Sequence, residues 1–142
     1  MRWLGIDHGD GRIGLSISDE LACLAHPYQT LQSDARVLPE IGRIVERERI
    51  GGIVIGLPKN MDGTLGQSAA KAKVFGDELA RAIPAAKIIF WDERLTTVEA
   101  QRALQAAGKS TKQSKKIIDQ VAAQILLQSY LDSLQWERPG AE

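Results

Sequence analysis

Two short runs constrain this chain more than anything else in it. Residues 50–58 (IGGIVIGLP) and, after Lys87, the rest of 87–91 (KIIFW) are apolar at successive positions, the first rich in β-branched side chains. A strand apolar on both sides needs cover on both faces, as a parallel strand with crossover helices has. Helical spacing falls where such crossovers are needed. Residues 36–49 put Val37, Ile41, Ile44 and Val45 on one side and most of their charges on the other. Residues 66–83 put Ala72, Phe75, Leu79, Ala82 and Ile83 in register. Further helices are expected at 97–107 and at 115–134, the last lined by Ile118, Val121, Ala122, Ile125 and Leu126. The amino-terminal part differs. WLGID (3–7) and IGLSIS (13–18) read as strands around His8-Gly9-Asp10-Gly11-Arg12, and Asp-Gly signals a hairpin turn. A third strand is expected near Tyr28–Leu31. The pattern is α/β: a mixed five-stranded sheet, antiparallel hairpin strands first and parallel crossovers after, with helices on both faces.

The length of 142 residues suits one domain, expected over 1–138 with a short tail at 139–142. The chain carries 18 basic and 18 acidic residues, a net charge of zero. That excludes holding nucleic acid by bulk charge, and equally an acidic solvating tail. The sum hides a local imbalance. Residues 100–118 contain Arg102, Lys109, Lys112, Lys115 and Lys116 and no acid, and Asp119 follows at once. Such a segment suits an anionic polymer, although a lysine-rich loop kept for solubility has the same composition. The single cysteine, Cys23, excludes an internal disulfide and a Cys-rich zinc site, points to a reducing cytoplasm, and reads as a buried apolar thiol. His8 and His26 are too few and too far apart for a histidine metal site or a catalytic triad. Trp3 and Trp91 lie in apolar strands and are expected in the core. The first apolar stretch meets Asp7 too soon for a secretory signal, and no window approaches the roughly 20 apolar residues of a membrane span. A cytoplasmic protein with no membrane partner is therefore expected.

Several acids sit where a bland fold would not put them. Asp7 interrupts the apolar first strand, Asp92 and Glu93 follow directly on the run 87–91, and Asp119 leans towards the apolar side of the last helix. A lone carboxylate aimed at a core costs several kcal/mol unless it finds a partner or shifts its pKa. Carboxylates converging from strand ends are commonly resolved by a divalent cation. Mg²⁺ and Mn²⁺ prefer oxygen ligands, and two such ions can clamp a phosphodiester while activating water. Each acid also has a plain reading: a turn former for Asp7, partners of Arg94 or solvent-facing groups for Asp92 and Glu93, a first-turn acid favoured by the helix dipole for Asp119. Gly9, Gly11, Gly14 and Gly56 flank these acids and would let backbone approach a phosphate, or simply make turns. Arg12 and Arg94 suit either a phosphate or an acid. Thr96 or Thr97 suits a helix cap.

Taken together, IDHGDGRIGLSISD (6–19), IVIGLPKNMDGTLG (53–66), WDERLTTVEA (91–100) and KKIIDQVAAQILLQSYLD (115–132) resemble the YqgF family, also called RuvX, of ribonuclease H-like nucleases. The likeness runs through almost the whole chain. It implies a ribonuclease H-like fold and an acidic site cleaving phosphodiesters with Mg²⁺ or Mn²⁺. Asp7, Glu93 and Asp119 match its catalytic, metal-holding acids. Arg12, Arg94, Thr96 and Thr97 match positions beside the site, as substrate or supporting groups. Lys112, Lys115 and Lys116 would hold flanking phosphates. Many related resolvases carry an acid just after the fourth strand; here that place is Gly56-Leu57-Pro58, so Glu93 would serve instead. Asp10 has no assigned role. The expected substrate is structured RNA, the 5′ side of a small-subunit (16S) ribosomal RNA precursor. The alternatives are a Holliday junction in DNA, cut by a dimer, or a non-catalytic nucleic-acid-binding factor, with monomer or homodimer open.

Overall fold

The computed structural model describes residues 1–60, 62–93 and 112–137; within the last segment, the side chains of 112–115, 136 and 137 lie outside the description. Five strands form one sheet: β1 (Arg2–His8), β2 (Arg12–Ser18), β3 (Ala25–Gln32), β4 (Ile50–Leu57) and β5 (Lys87–Asp92). Their order across the sheet is β3-β2-β1-β4-β5. The β1–β2 and β2–β3 pairs are antiparallel, and the β1–β4 and β4–β5 pairs are parallel. Helix α1 (Val37–Arg47) leads into β4, α2 (Gln67–Ala82) leads into β5, and α3 (Lys112–Glu137) closes the described chain. The expected α/β architecture is present, with its helices divided between two faces. The helix expected at 97–107 and the tail at 139–142 lie outside the described residues. Among the described residues, no helix is long and apolar enough to cross a membrane.

Strand residues alternate between the faces, so each strand is read twice. Leu4, Ile6, Ile13, Leu15, Ile53 and Ile55 face α1 and α2 and form the larger core with Ile41, Ile44, Phe75 and Leu79. The other face is different in kind. There β1 shows Trp3, Gly5 and Asp7, β2 shows Gly14, Ser16 and Ser18, and β4 shows Gly52, Val54 and Gly56. Small residues leave a trough, and α3 settles into it. A Cβ on Gly5 would lie 2.8 Å from Leu127 Cβ and 3.0 Å from the Ala123 carbonyl oxygen. The Ser16 hydroxyl donates to that same carbonyl at 2.7 Å.

This trough corrects the expected face of the last helix. The buried residues of α3 are Ala123, Leu126, Leu127, Tyr130 and Leu131. Of the expected stripe only Leu126 is fully buried; Ile118, Val121, Ala122 and Ile125 are half-buried. Close backbone approach to the sheet, rather than the largest side chains, sets the rotation of the helix. Polar side chains then tie it to β3: Gln124 donates to the Ala25 carbonyl (3.0 Å), and Gln128 accepts from the Ala25 amide (2.9 Å). In α1 the expected core residues are the buried ones. In α2 Ala82 is exposed instead, beyond the last buried turn. Strand β5 is half-buried rather than covered, because it is an edge strand of the sheet.

Trp3 is buried as expected, and Trp91 packs edge-on against Tyr130 with centroids 5.3 Å apart. Cys23 is a second correction: it is exposed. It lies in the turn between β2 and β3, where Asp19 Oδ1 accepts from the amides of Cys23 (2.7 Å) and Leu24 (3.1 Å). That acid-capped turn turns the thiol outward and buries Ala22, at φ 57°, in its place.

Candidate active site

The acids meet over a row of three residues on the α3 face. Asp7 is the direct cross-strand partner of Gly14 on β2. On its other side, one step past the Ile6–Ile55 pair, lies Gly56 of β4. The row therefore reads Gly14, Asp7, Gly56 across three adjacent strands. A methyl on Gly14 would run into the carbonyl group of Asp119 and come within 2.9 Å of its Cβ. A methyl on Gly56 would run into the carboxylate of Glu93 and reach 3.0 Å from a Leu126 methyl. Each glycine thus clears the place where another acid comes to Asp7. Both were expected to bring backbone near a phosphate; what they make is room for Asp119 and Glu93.

Asp7 and Glu93 share a hydrogen bond. Burial, followed by the negative charge of Asp119, pushes the Asp7 carboxyl up to about 6, and the bond from Glu93 acts the other way. Burial also pushes Glu93 up to about 7, with the Asp7 charge, the hydrogen bond to Asp7 and the charge of Asp92 adding to it. Both carboxyls are thus raised, and their hydrogen bond holds a proton between them. Without a cation, the pair lowers its own charge by sharing a proton, as like charges at close quarters do. Carboxylate oxygens arranged this way are hard donors, suited to Mg²⁺ or Mn²⁺. Among the described residues no three Asp, Glu, His or Cys side chains close into a ready cage.

Asp119 is paired with Arg12, whose Nε donates to Asp119 Oδ2 at 2.6 Å. Of the two roles open for Arg12, the structure shows the acid-pairing one. Asp10 is exposed on the hairpin turn and pairs with Lys71 of α2 at 3.0 Å. Nothing local in the sequence announces that contact, since the partners are 61 residues apart. His8 points to the opposite face from Asp7, and burial pulls its imidazole below the ordinary value. Lys116 is exposed on α3, one turn before Asp119, and its carbonyl accepts from the Thr30 hydroxyl at 2.7 Å. Lys112 and Lys115 lie on the first turn of α3, with side chains outside the description. Arg94, Thr96 and Thr97 lie outside the described residues, as does most of the basic segment 100–118.

A family model described as "RuvX: Holliday junction resolvase" matches residues 1–133. Proteins named "Putative pre-16S rRNA nuclease" are similar over nearly their whole length. The one from Acetivibrio thermocellus is 45% identical over 136 residues, covering 94% of this chain and 96% of the relative. The one from Halalkalibacterium halodurans is 44% identical over 139 residues, covering 95% and 99%. The one from Clostridium botulinum strain Hall is 47% identical over 136 residues, covering 94% and 98%. Among solved structures, the RuvC of T. thermophilus in complex with a Holliday junction substrate superposes with a TM-score of 0.58 at 15% identity, covering 94% of this chain and 96% of that one. The Fowlpox virus resolvase with Holliday junction DNA gives 0.58 at 14%, covering 94% and 99%. At that identity the likeness is one of fold, and the fold is ribonuclease H-like.

Proposed function

The chain belongs to the RuvX family and is a nuclease, and we propose that it cuts structured RNA with Mg²⁺ or Mn²⁺, at the 5′ side of a small-subunit ribosomal RNA precursor. The observation that carries the metal-dependent reading is Asp7 set between two glycines that admit Glu93 and Asp119. Those three carboxylates would hold the cation. A divalent cation bound there supplies a more acidic water as nucleophile and neutralises charge on the leaving oxygen. The chain's own groups do the rest. Asp7 offers its oxygens from the central strand, the Asp7–Glu93 pair gives up its shared proton on loading, and Arg12 holds the Asp119 carboxylate. Lys116, with Lys112 and Lys115, holds flanking phosphates by charge. Arg94, Thr96 and Thr97 are assigned to the substrate by resemblance alone. The cytoplasm is the proposed location.

Alanine at Asp7 should abolish Mn²⁺-dependent cleavage and leave the fold intact, since it removes a buried like-charge conflict. Full activity of that variant, in clean protein, overturns the assignment. A second reading, a DNA junction resolvase acting as a homodimer, draws on the family description and on the junction-bound structures that share the fold. Parallel assays on precursor RNA and on four-way junction DNA separate the two. Binding without metal-dependent turnover on either would favour a non-catalytic factor.

A further inference from the structure

One feature near the acids takes no part in them. A cleft of about 400 Å³ opens on the other side of β1, at the residue after Asp7. Its floor is the His8 ring against the Phe75 ring, with centroids 4.8 Å apart and planes tilted by 37°. Its wall is a stripe of α2 that includes Gln67, Lys71, Val74 and Glu78. Val74 is 57% exposed there, whereas Ala69, Ala72, Phe75 and Leu79 of the same helix are buried. Lys71 reaches from the cleft to Asp10 on the hairpin turn, so its cationic end lies beside the carboxyl end of β1. The His8 ring makes no hydrogen bond among the described residues, which leaves a donor and an acceptor nitrogen for a ligand.

We propose that this cleft is a nucleobase subsite, taking one unstacked base of the RNA strand next to the phosphate held at Asp7. The proposal rests on the nuclease reading above. Successive strand residues point to opposite faces, so Asp7 and His8 lie back to back at the carboxyl end of β1. A nucleic-acid strand with its phosphate over Asp7 would meet the His8 side by passing round that end. An aromatic floor with an exposed branched apolar wall suits the flat face of a base, and RNA-binding sites commonly stack splayed bases on such rings. The cleft lies within the usual size range of ligand sites and combines an apolar lining with a few polar groups. Lys71 can turn from Asp10 to the phosphate of the same nucleotide, because an exposed ion pair is held weakly.

The test uses the full chain carrying Asp7→Asn, so that the RNA stays whole. Short RNA oligonucleotides, each lacking the base at one successive position, are titrated by fluorescence anisotropy. One position should lose roughly tenfold or more in affinity when its base is absent, the scale of a stacked base. Added separately, His8→Ala and Val74→Glu should each cut that penalty below about twofold and leave the penalties at other positions as they were. Val74→Glu changes an exposed residue and serves as the variant least able to disturb folding. A penalty that survives in both variants overturns the subsite, and so does an oligonucleotide set with no base-sensitive position. If the Asp7 parent binds and cuts RNA in that case, only the subsite fails. If it neither binds nor cuts, the nuclease reading fails and the subsite with it. Coupling found with DNA oligonucleotides and absent with RNA overturns the choice of strand.

Discussion

Alanine at Gly14 and alanine at Gly56 add the same methyl to the same face of the sheet, yet they should fail in opposite ways. Neither glycine has positive φ, so alanine can adopt the backbone at both positions. At Gly14 the methyl meets the backbone of Asp119, which cannot rotate away. Ordinary contact begins at 3.4 Å, so the first turns of α3 must lift off the sheet. Lifting strains the seat of Ala123, Leu126 and Leu127 and stretches the Ser16–Ala123 bond of 2.7 Å. Overpacking of this kind costs about 1–3 kcal/mol, and the loosened hydrogen bond about 1 more. Against that, alanine restricts the unfolded chain by about 0.4–1 kcal/mol. The net is a loss of roughly 1–3.5 kcal/mol, or a melting temperature lower by roughly 3–12 °C in a domain of this size. At Gly56 the methyl meets the far end of the Glu93 side chain, which can swing aside. Stability should then stay within about 1 kcal/mol of the parent. The displaced carboxylate no longer faces Asp7, and a misplacement of about 1 Å in catalytic groups costs on the order of 100-fold in rate. Thermal melts with Mn²⁺-dependent cleavage assays read both outcomes. A Gly56→Ala protein that cuts at the parental rate refutes the placement of Glu93. A Gly14→Ala protein that melts with the parent refutes the close seat of α3.

Further outcomes follow from the charges around Asp7 and on α3. Asp7 and Glu93 both titrate above their ordinary values, so the native protein holds a proton that the unfolded chain has lost. Metal-free stability should therefore fall as pH rises from about 4 to about 7, by on the order of 3 kcal/mol for one shared proton. Mn²⁺ should stabilise the protein more at about pH 8 than at about pH 5, and thermal melts with and without metal check this; equal stabilisation at both would count against the shared proton. Cleavage should likewise show an acid limb between about 6 and about 7. Arg12→Ala should cost less than about 1 kcal/mol in stability, because the pair it breaks is partly exposed. It leaves Asp119 uncompensated beside Asp7, so the acid limb should move to higher pH; an unmoved limb would refute the link. Lys116→Ala should weaken RNA binding alike across sequences and lower the slope of log affinity against log salt by about 0.7, measured by salt titration.

The parts of this design that were legible in the sequence are those set by alternation and by local turn chemistry. The hydrophobic runs 50–58 and 87–91 marked parallel strands, and α1 declared its buried face residue by residue. What the sequence obscured depends on distance. The rotation of α3 is set by Gly5, Gly14 and Ser16, more than 100 residues away, so its own apolar spacing pointed to the wrong stripe. Cys23 is exposed, against the burial expected of a free cysteine, because Asp19 four residues earlier fixes a surface turn. The bond from Arg12 to Asp119 and the bridge from Asp10 to Lys71 also join distant segments, and spacing cannot encode them.

The same distances explain why the acids are tolerable at all. A carboxylate in the middle of a sheet, with two more beside it, opposes folding unless something holds them apart or cancels their charge. This chain uses three devices, each visible in a different pair. Gly56 gives Glu93 enough room to sit beside Asp7 and share a proton with it. Gly14 admits the backbone of Asp119, so the helix brings that acid in at its own surface. Arg12, from the strand that carries Gly14, neutralises it there. Two of the three can give way to a cation: a proton can leave, and a partly exposed ion pair can open. The zero net charge of the chain then acquires a meaning that its sum alone lacked. Bulk charge then supplies no attraction to nucleic acid, so on the proposed function the grip comes from local groups such as Lys116 and from whatever cation the acids take up. Binding should therefore respond to both salt and divalent metal, where a polybasic protein would respond chiefly to salt.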